Sequence, residues 1–466
     1  GVEVPVGVII NPAGDLQLIA DYVEAQRAGG RKASFSTVHA ADSDIVHASD
    51  LKREKFIDAD ILQAAPGLPE PASTIRTVLL TGATGFLGRF QAMAWLEHFA
   101  RTGGKLILIA RGSTPEQAMR RVEEALDSDP AALARLRELG RDHLEVLPGD
   151  LGLPGLGLDE ATWQRLAESV DLIAHTAAHV NHVLPYSQLF TANVGGTAEL
   201  IRLALTTRRK HINYVSTLGV TALASAPISE DGDVRVEVPS CKLGDDYANG
   251  YNISKWAGEV LLREAHDLCG LPVGVFSPGM ILAHSRFAGQ INVPDMFTRL
   301  LYSLAVTGVA PATFYAEDLS AGRPVSRYEG LQVDFLADAI TAIGAGAQPG
   351  FASYNLANPH DDGVSLDNFV DRMIEAGCQI ERIPSYSQWL ARCETAMNAL
   401  PEDQRNQSML TILGPWRHPQ TATAKGFLPV ARFSAAAQAA GYPVRGLTPA
   451  MIHKYVADLR HLGLLA

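Results

Sequence analysis

The sequence predicts an α/β protein: a doubly wound parallel sheet followed by a smaller, mainly helical part. Three observations predict it. Short apolar runs alternate with helical segments from Thr77 to about Ala283, the pattern of a parallel sheet covered on both faces. A glycine-rich turn, TGATGFLG, links the first run to its helix. Beyond about Ala283 the alternation breaks down and helical segments dominate.

Residues 15 to 26, DLQLIADYVEAQ, carry a helical apolar period at Leu16, Ile19, Ala20 and Val23. Residues 27 to 74 are polar and mixed, with Pro66, Pro69 and Pro71, and read as a linker that lies on the next domain's surface. TVLLT, from Thr77, is the first strand, and its helix runs from Arg89 to Ala100. The next strands are KLILIAR (Lys105 to Arg111), HLEVLPGDL (His143 to Leu151) and VDLIAHTAA (Val170 to Ala178). HINYVST (His211 to Thr217) and LPVGVFSPG (Leu271 to Gly279) follow. Helical segments separate them, among them Val194 to Thr206. A last strand-like run, YNLANP (Tyr354 to Pro359), is long enough to join the same sheet. The reading is a Rossmann domain over 75–285 and a mainly helical, substrate-binding region over 286–466.

With 466 residues the chain exceeds what one hydrophobic core usually serves. It is 47% hydrophobic and 19% charged, a globular composition. The net charge of −12 argues against a nucleic-acid partner, because phosphate binding needs a basic surface. Cys241, Cys269, Cys378 and Cys393 form no CxxC and no regular framework, which suits a reducing cytoplasm. No signal peptide and no membrane-spanning apolar run is present, so no membrane role is expected. The start at Gly1, without a methionine, suggests a piece of something longer.

TGATGFLG spans Thr81 to Gly88, with Gly82, Gly85 and Gly88 at the three fingerprint positions and Thr84, Phe86 and Leu87 between them. The first glycine allows a tight turn, the second lets the backbone approach a pyrophosphate, and the third lets the helix pack on its strand. The helix N-terminus adds amide donors and a positive dipole end. An NAD site usually ends the second strand with Asp or Glu on the ribose 2′-hydroxyl. Here the strand ends at Ala110 and Arg111, while Arg89, Arg120 and Arg121 lie nearby in sequence. A cation in that place suits the 2′-phosphate of NADP, so NADPH is the expected cofactor. Asp150, followed by Leu151, ends the third strand and is a candidate to hold the adenine.

The fifth strand ends in VST, and strand C-termini line the ligand crevice of such a sheet. A hydroxyl there can hydrogen-bond a substrate carbonyl oxygen. YNISK, Tyr251 to Lys255, opens the next long helix, which continues to Ala265. A spacing of four residues puts the phenol and the ammonium on one face. Hydride reduction of a carbonyl leaves an alkoxide that needs a proton. The expectation is that Lys255 lowers the Tyr251 phenol toward neutrality so that it can deliver one.

Together TGATGFLG, the Ser216-Thr217 strand end and YNISK resemble the extended short-chain dehydrogenase/reductase superfamily, over about residues 75 to 360. The resemblance implies that Thr217 holds the carbonyl oxygen, with Ser216 the neighbouring candidate. It implies Tyr251 as proton donor, and Lys255 as the residue that orients the nicotinamide ribose. HTAA, with Ala177 and Ala178, and Asn193 in NVGGT match cofactor-lining segments of such enzymes.

GFLGR, YANGYNISKWAGEVLLREA, GQINVPDMFTRL and NPHDDGVSLDNFVDRM resemble more narrowly the thioester reductase domain that ends carboxylic acid reductases. GVEVPVGVIINPAGDLQLIADYV resembles the last helices of the preceding carrier domain, over residues 1–30, with 31–74 as linker. The resemblance implies that an acyl thioester, delivered on 4′-phosphopantetheine, takes hydride from NADPH and leaves as an aldehyde. The serine that carries the arm is expected upstream of Gly1, so the chain is expected to accept its substrate in trans. Upstream adenylation and carrier domains are the implied partners, and such a multidomain parent fits a monomer. Where such reductases commonly show Arg-x-Asp before Met-Ile-Leu, this sequence reads FSPGMIL, with Gly279 in place of the aspartate. Since that aspartate is thought to discourage a second reduction, Gly279 is expected to allow the aldehyde to go on to the alcohol. Gly279 and Met280 are also expected at the cofactor and substrate.

His175, His179 and His182 in HTAAHVNH lack a carboxylate or cysteine nearby in sequence, so no metal is expected. His179 and His182 are candidates to border the substrate. Trp256, Trp389 and Trp416 read as core or pocket wall. Arg299 is a candidate for the arm's phosphate, with a structural salt bridge as the other reading. Two rival functions share the cofactor signals: an NADP-dependent epimerase, dehydratase or carbonyl reductase acting on a free small molecule, and a non-catalytic dinucleotide sensor.

Overall fold

The computed structural model describes residues 33–39, 43–316, 330–360, 364–421 and 428–465. The helix expected over residues 15–26 and the carrier-like N-terminal piece lie outside the described residues.

Seven strands form one parallel sheet: β1 (Thr77–Thr81), β2 (Lys105–Ala110), β3 (Leu144–Pro148), β4 (Leu172–His175), β5 (His211–Val215), β6 (Val273–Pro278) and β7 (Phe351–Leu356). Their order in space is β7-β6-β5-β4-β1-β2-β3. The chain therefore winds outward twice from β1, and the reversal falls between β1 and β4, where a doubly wound sheet opens its crevice. The apolar runs are continuous because both faces are covered, and alternate residues feed two separate cores. Leu79, Ile107, Ile109, Ile173, Ile212 and Tyr214 face one side. There they meet α4 (Glu160–Ser169), α5 (Gly196–Ala204) and α6 (Asn249–Cys269). Val78, Leu80, Leu106, Leu108 and Ala174 face the other side. There they meet α1 (Phe86–Thr102), α2 (Pro115–Glu124), α3 (Pro130–His143) and α8 (Val333–Ala345).

The stretch read as a linker lies on this domain. Ile45–His47 pairs antiparallel with Ser240–Lys242, and Val46, Leu51, Ile57 and Leu62 are buried in the α6 core. Past β6 the chain builds a third core from α7 (Met296–Thr307), α9 (Leu366–Glu375), α10 (Tyr386–Asn398) and α12 (Pro449–His461). It also returns twice to the Rossmann layers. Gly330–Gln332 pairs in parallel with Met280–Leu282, and α8 leads into β7. The run expected at Tyr354 to Pro359 is thus the seventh strand of the main sheet, displaced toward Phe351. The helical part is tied to the sheet domain by polar contacts. Asp458 accepts from the Gly289 amide (2.9 Å), the Tyr455 hydroxyl accepts from the Ala283 amide (2.9 Å), and His461 Nε2 contacts the Ser128 carbonyl (2.9 Å).

Candidate active site

β1 delivers the chain to Gly82, whose φ of +88° suits glycine and whose Cβ position would sit 2.6 Å from the Ala177 nitrogen. Gly88 touches the same turn from the helix side: a Cβ there would lie 2.0 Å from the Gly82 carbonyl oxygen. These two contacts bring α1 against β1 and against the HTAA segment that follows β4. Gly85 is the N-cap of α1, and no side chain caps the helix, so the amides of its first turn remain available. A 17-residue helix with an uncapped, glycine-walled N-terminus fits a pyrophosphate.

Inside this turn, buried His175 bridges two hydroxyls, Thr81 Oγ1 at the end of β1 (2.8 Å) and Thr197 Oγ1 in the first turn of α5 (3.1 Å). Burial first, and then the Lys255 charge, hold its pKa well below the ordinary histidine value, so it acts as a neutral connector. Asn193 lies in a π-helical turn, Thr191–Gly195, a distortion common at functional sites. Its Oδ1 accepts from the His179 amide (2.7 Å), and its Nδ2 donates to Ser254 Oγ (2.9 Å). Asn193 thereby joins the HTAA loop to α6 at Ser254, next to Lys255.

The start of α6 is fixed from outside the helix. Ala248 adopts a left-handed conformation (φ 62°) and donates its amide to the His182 carbonyl (2.8 Å). Gly250 packs so closely on Leu184 that a Cβ would lie 2.4 Å from that carbonyl oxygen. The His182 ring then lies between two tyrosines, 4.9 Å from Tyr247 and 5.3 Å from Tyr251, with Nδ1 2.6 Å from the Tyr247 hydroxyl. Thr217 follows β5 and accepts from the Gly219 amide (3.1 Å), which leaves its hydroxyl proton free to donate outward.

Four expectations change. Burial pushes the Tyr251 phenol up to about 12 and the Lys255 amine down to about 7. The ammonium does not lower the phenol here, because Lys255 is buried and Tyr251 half-buried, and burial disfavours the charged form of each. Lys255 Nζ instead sits 3.9 Å over the Tyr214 ring. Ser216 turns inward and donates to buried Glu259, so the open hydroxyl is that of Thr217 alone. The Arg89 guanidinium packs on Phe86 and Phe90 and donates to the Ala125 carbonyl (2.6 Å), so it braces α1 instead of pointing to a ligand. Arg299 donates to the carbonyls of Pro294, Asn406 and Ser408 and to Thr411, which satisfies it within the fold.

Arg111 and Arg121 make no hydrogen bond or ion pair among the described residues. Asp150 Oδ1 accepts from the Gly152 amide (2.8 Å), and Leu151 packs against Gly196, which orders the turn after β3. The Gly279 amide donates to the Leu356 carbonyl at the end of β7 (3.2 Å), and Met280 begins the short strand beyond it. Among the described residues no group of three or more His, Cys, Asp or Glu side chains could hold a metal ion, and no helix is long and apolar enough to cross a membrane. Motif reading overlooked Glu259, Tyr247 and Ser254. Glu259 had a signal, since it continues the spacing of four through Tyr251 and Lys255.

The NAD-binding family described as Male sterility protein matches residues 80–340. A carboxylic acid reductase of Mycobacterium marinum is 52% identical over the whole chain, which spans 40% of that protein's length. The reductase (R) domain of a nonribosomal peptide synthetase from Mycobacterium tuberculosis superposes with a TM-score of 0.85 at 46% identity, covering 90% of this chain and 100% of that one. The terminal R domain of the myxalamid PKS-NRPS pathway superposes with a TM-score of 0.71 at 31% identity, covering 90% and 98%. With its uncapped glycine loop, strand-end threonine and Tyr-Lys helix, the chain belongs to the Male sterility family of NAD-binding proteins, together with the reductase domains of carboxylic acid reductases and nonribosomal peptide synthetases.

Proposed function

We propose that this chain reduces a carrier-bound acyl thioester to an aldehyde with NADPH and releases the thiol. The observation that carries this reading is that Thr217 follows the end of β5 while Tyr251 and Lys255 share one face of α6, with Lys255 over the β5 residue Tyr214, in a sheet whose strand ends form the crevice. The carboxylic acid reductase and R-domain relatives support it. When bound, the nicotinamide supplies hydride to the thioester carbonyl carbon. Thr217 donates its free hydroxyl proton in a hydrogen bond to the carbonyl oxygen and holds the oxyanion that develops there. Tyr251, protonated at neutral pH, gives that oxyanion its proton. Lys255 then sits where a charged amine would stabilise the phenolate that Tyr251 becomes, and where it could orient the ribose. As the carbonyl re-forms, the hydroxyl returns its proton to the Tyr251 phenolate, the C–S bond breaks and the thiolate leaves to take a proton from water.

NADPH is preferred on this reading because Arg111 and Arg121 are uncommitted cations and no acid ends β2. Gly82, Thr84, Gly85, Phe86, Leu87 and Gly88 would hold the pyrophosphate, and Asp150, Leu151, Ala177, Ala178 and Asn193 would surround the rest of the cofactor. His179, His182, Gly279 and Met280 border the acyl group, and an upstream carrier domain presents it on 4′-phosphopantetheine. With Gly279 leaving no carboxylate at the substrate, reduction continues to the alcohol.

The test follows NADPH consumption with a pantetheine-type acyl thioester and, separately, with the matching aldehyde, and identifies the products. Thioester turnover that ends in alcohol is expected. Aldehyde that accumulates in excess NADPH would remove the role given to Gly279. Turnover of the aldehyde alone would make the chain a carbonyl reductase. Tight NADPH binding with no turnover of either would favour a sensor.

A further inference from the structure

We propose that Glu259 is a positioning residue of this site: its carboxylate keeps the Lys255 amine charged and, through Ser216, fixes the strand end that presents Thr217. The inference rests on the thioester-reductase reading given above.

Tyr251, Lys255 and Glu259 follow one another at a spacing of four along α6, so they share one helix face. Lys255 is 2% exposed and Glu259 8%. A carboxyl taken out of water without a salt bridge is costly, and Glu259 makes none among the described residues. Its side-chain partner is the Ser216 hydroxyl, which donates to Oε1. Ser216 is bonded to Thr217 in the chain, so the carboxyl reaches both arms of the site: the amine along its own helix and the hydroxyl across β5.

The groups around the pair leave Glu259 as the source of negative charge for Lys255. From β4 comes His175, neutral between two threonine hydroxyls. From β5 comes Tyr214, whose ring lies under the amine and whose phenol burial keeps protonated. From α6 itself come Tyr251, also protonated, and Arg263. The Arg263 guanidinium stacks 3.6 Å over Phe351 and donates to the Gly232 carbonyl (3.0 Å). Burial drives the amine and the carboxyl toward the same range, each to about 7, and each opposes the other's shift. Neutralising the carboxyl removes the charge that holds the proton on Lys255. A cavity of mixed lining, with Thr217, Glu259, Arg263, Ser277 and Asn355 on its polar side, reaches Glu259 and gives the carboxyl a route for proton exchange.

Glu259→Gln keeps the shape and an acceptor for Ser216 while removing the charge. In this variant the fall of kcat on the alkaline side should move down by about one pH unit or more. Turnover at pH 8 relative to pH 6 should then drop roughly tenfold. The Lys255 titration, read by NMR with lysine labelled at the ε-carbon, should move down by the same amount. Ser216→Ala, which takes from the carboxyl its hydrogen-bond donor but leaves it able to ionise, should lower kcat and move that titration down by less than Glu259→Gln does. An unmoved Lys255 titration in Glu259→Gln, or an activity loss equal at every pH, would overturn the proposal. If Glu259→Gln does not fold, the native protein decides: its Lys255 signal must show a second inflection where the Glu259 carboxyl titrates, and a single inflection refutes the coupling. The titration needs no turnover. A native protein that reduces neither substrate would thus sink the functional reading while still judging this one.

Discussion

In the proposed reaction Tyr251 carries the proton transfer, yet no hydrogen bond reaches its hydroxyl among the described residues. It is held by contacts on its ring, with His182 at 5.3 Å. Tyr251→Phe keeps that packing and removes the proton. It is expected to lower kcat by roughly 10²- to 10⁴-fold while Kd for NADPH, measured by fluorescence quenching, changes less than about threefold. The arginines split differently. Arg89 is used up inside the fold, whereas Arg111 is exposed and uncommitted. Arg111→Ala is expected to weaken NADPH binding on the order of tenfold at low salt and to leave NADH binding nearly unchanged. Equal losses for both cofactors would place the 2′-phosphate elsewhere. The residue types at these places were legible in the sequence, but what each side chain bonds to was not. Arg89 and Ala125 meet across two helices, and Ser216 and Glu259 are 43 residues apart.

At the scale of elements, the glycine turn and α6 stand where local pattern put them, because a φ of +88° at Gly82 and a spacing of four are local properties. The join after the short strand Met280–Leu282 was not legible. There His284 Nδ1 accepts the amides of Arg286 (3.0 Å) and Phe287 (3.1 Å), and its ring packs 4.6 Å from Phe90 on α1. Burial, followed by the field of Asp334 in the opposite sense, leaves this histidine at about 4. The folded pKa lies below the unfolded one, so the folded state binds fewer protons between the two. The contribution to stability is complete above about pH 6.5 and is lost as pH falls toward 4. Thermal melts of the native protein should therefore drop more steeply over that window than melts of His284→Asn. The difference should be on the order of 2 kcal/mol by pH 4. Parallel curves would show that the ring tolerates its charge.

The whole molecule is closed by contacts between segments distant in the chain. Buried Glu230 accepts from the amides of Asn355 at the end of β7 (3.0 Å), of Arg432 (2.7 Å) and of Phe433 (3.0 Å). Those last two amides belong to the first turn of α11 (Ala431–Ala439), so one carboxylate caps a helix about 200 residues away and ties it to the sheet. Glu230→Ala strands these buried donors and should cost about 2–4 kcal/mol in a denaturant melt, with NADPH binding at the distant glycine turn retained. A loss below about 0.5 kcal/mol would mean that water replaces the carboxylate. Nothing in the residues around Glu230 signals this role, which exists only when three parts of the chain meet.

By itself the sequence determined the alternation that makes the sheet parallel and doubly wound, the turn that can approach a pyrophosphate, and the tyrosine, lysine and threonine at strand and helix ends. Each depends on neighbours within one or two turns of chain, so period and spacing reveal it. Only the tertiary structure decided that Ser216 donates to Glu259 while Thr217 accepts from the Gly219 amide, and that Arg89 and Arg299 serve the fold. It also decided that burial raises the Tyr251 phenol and lowers the Lys255 amine to about 7. Those outcomes depend on which distant groups share a desolvated space, and the charge of a buried group is set by that company more than by its own type.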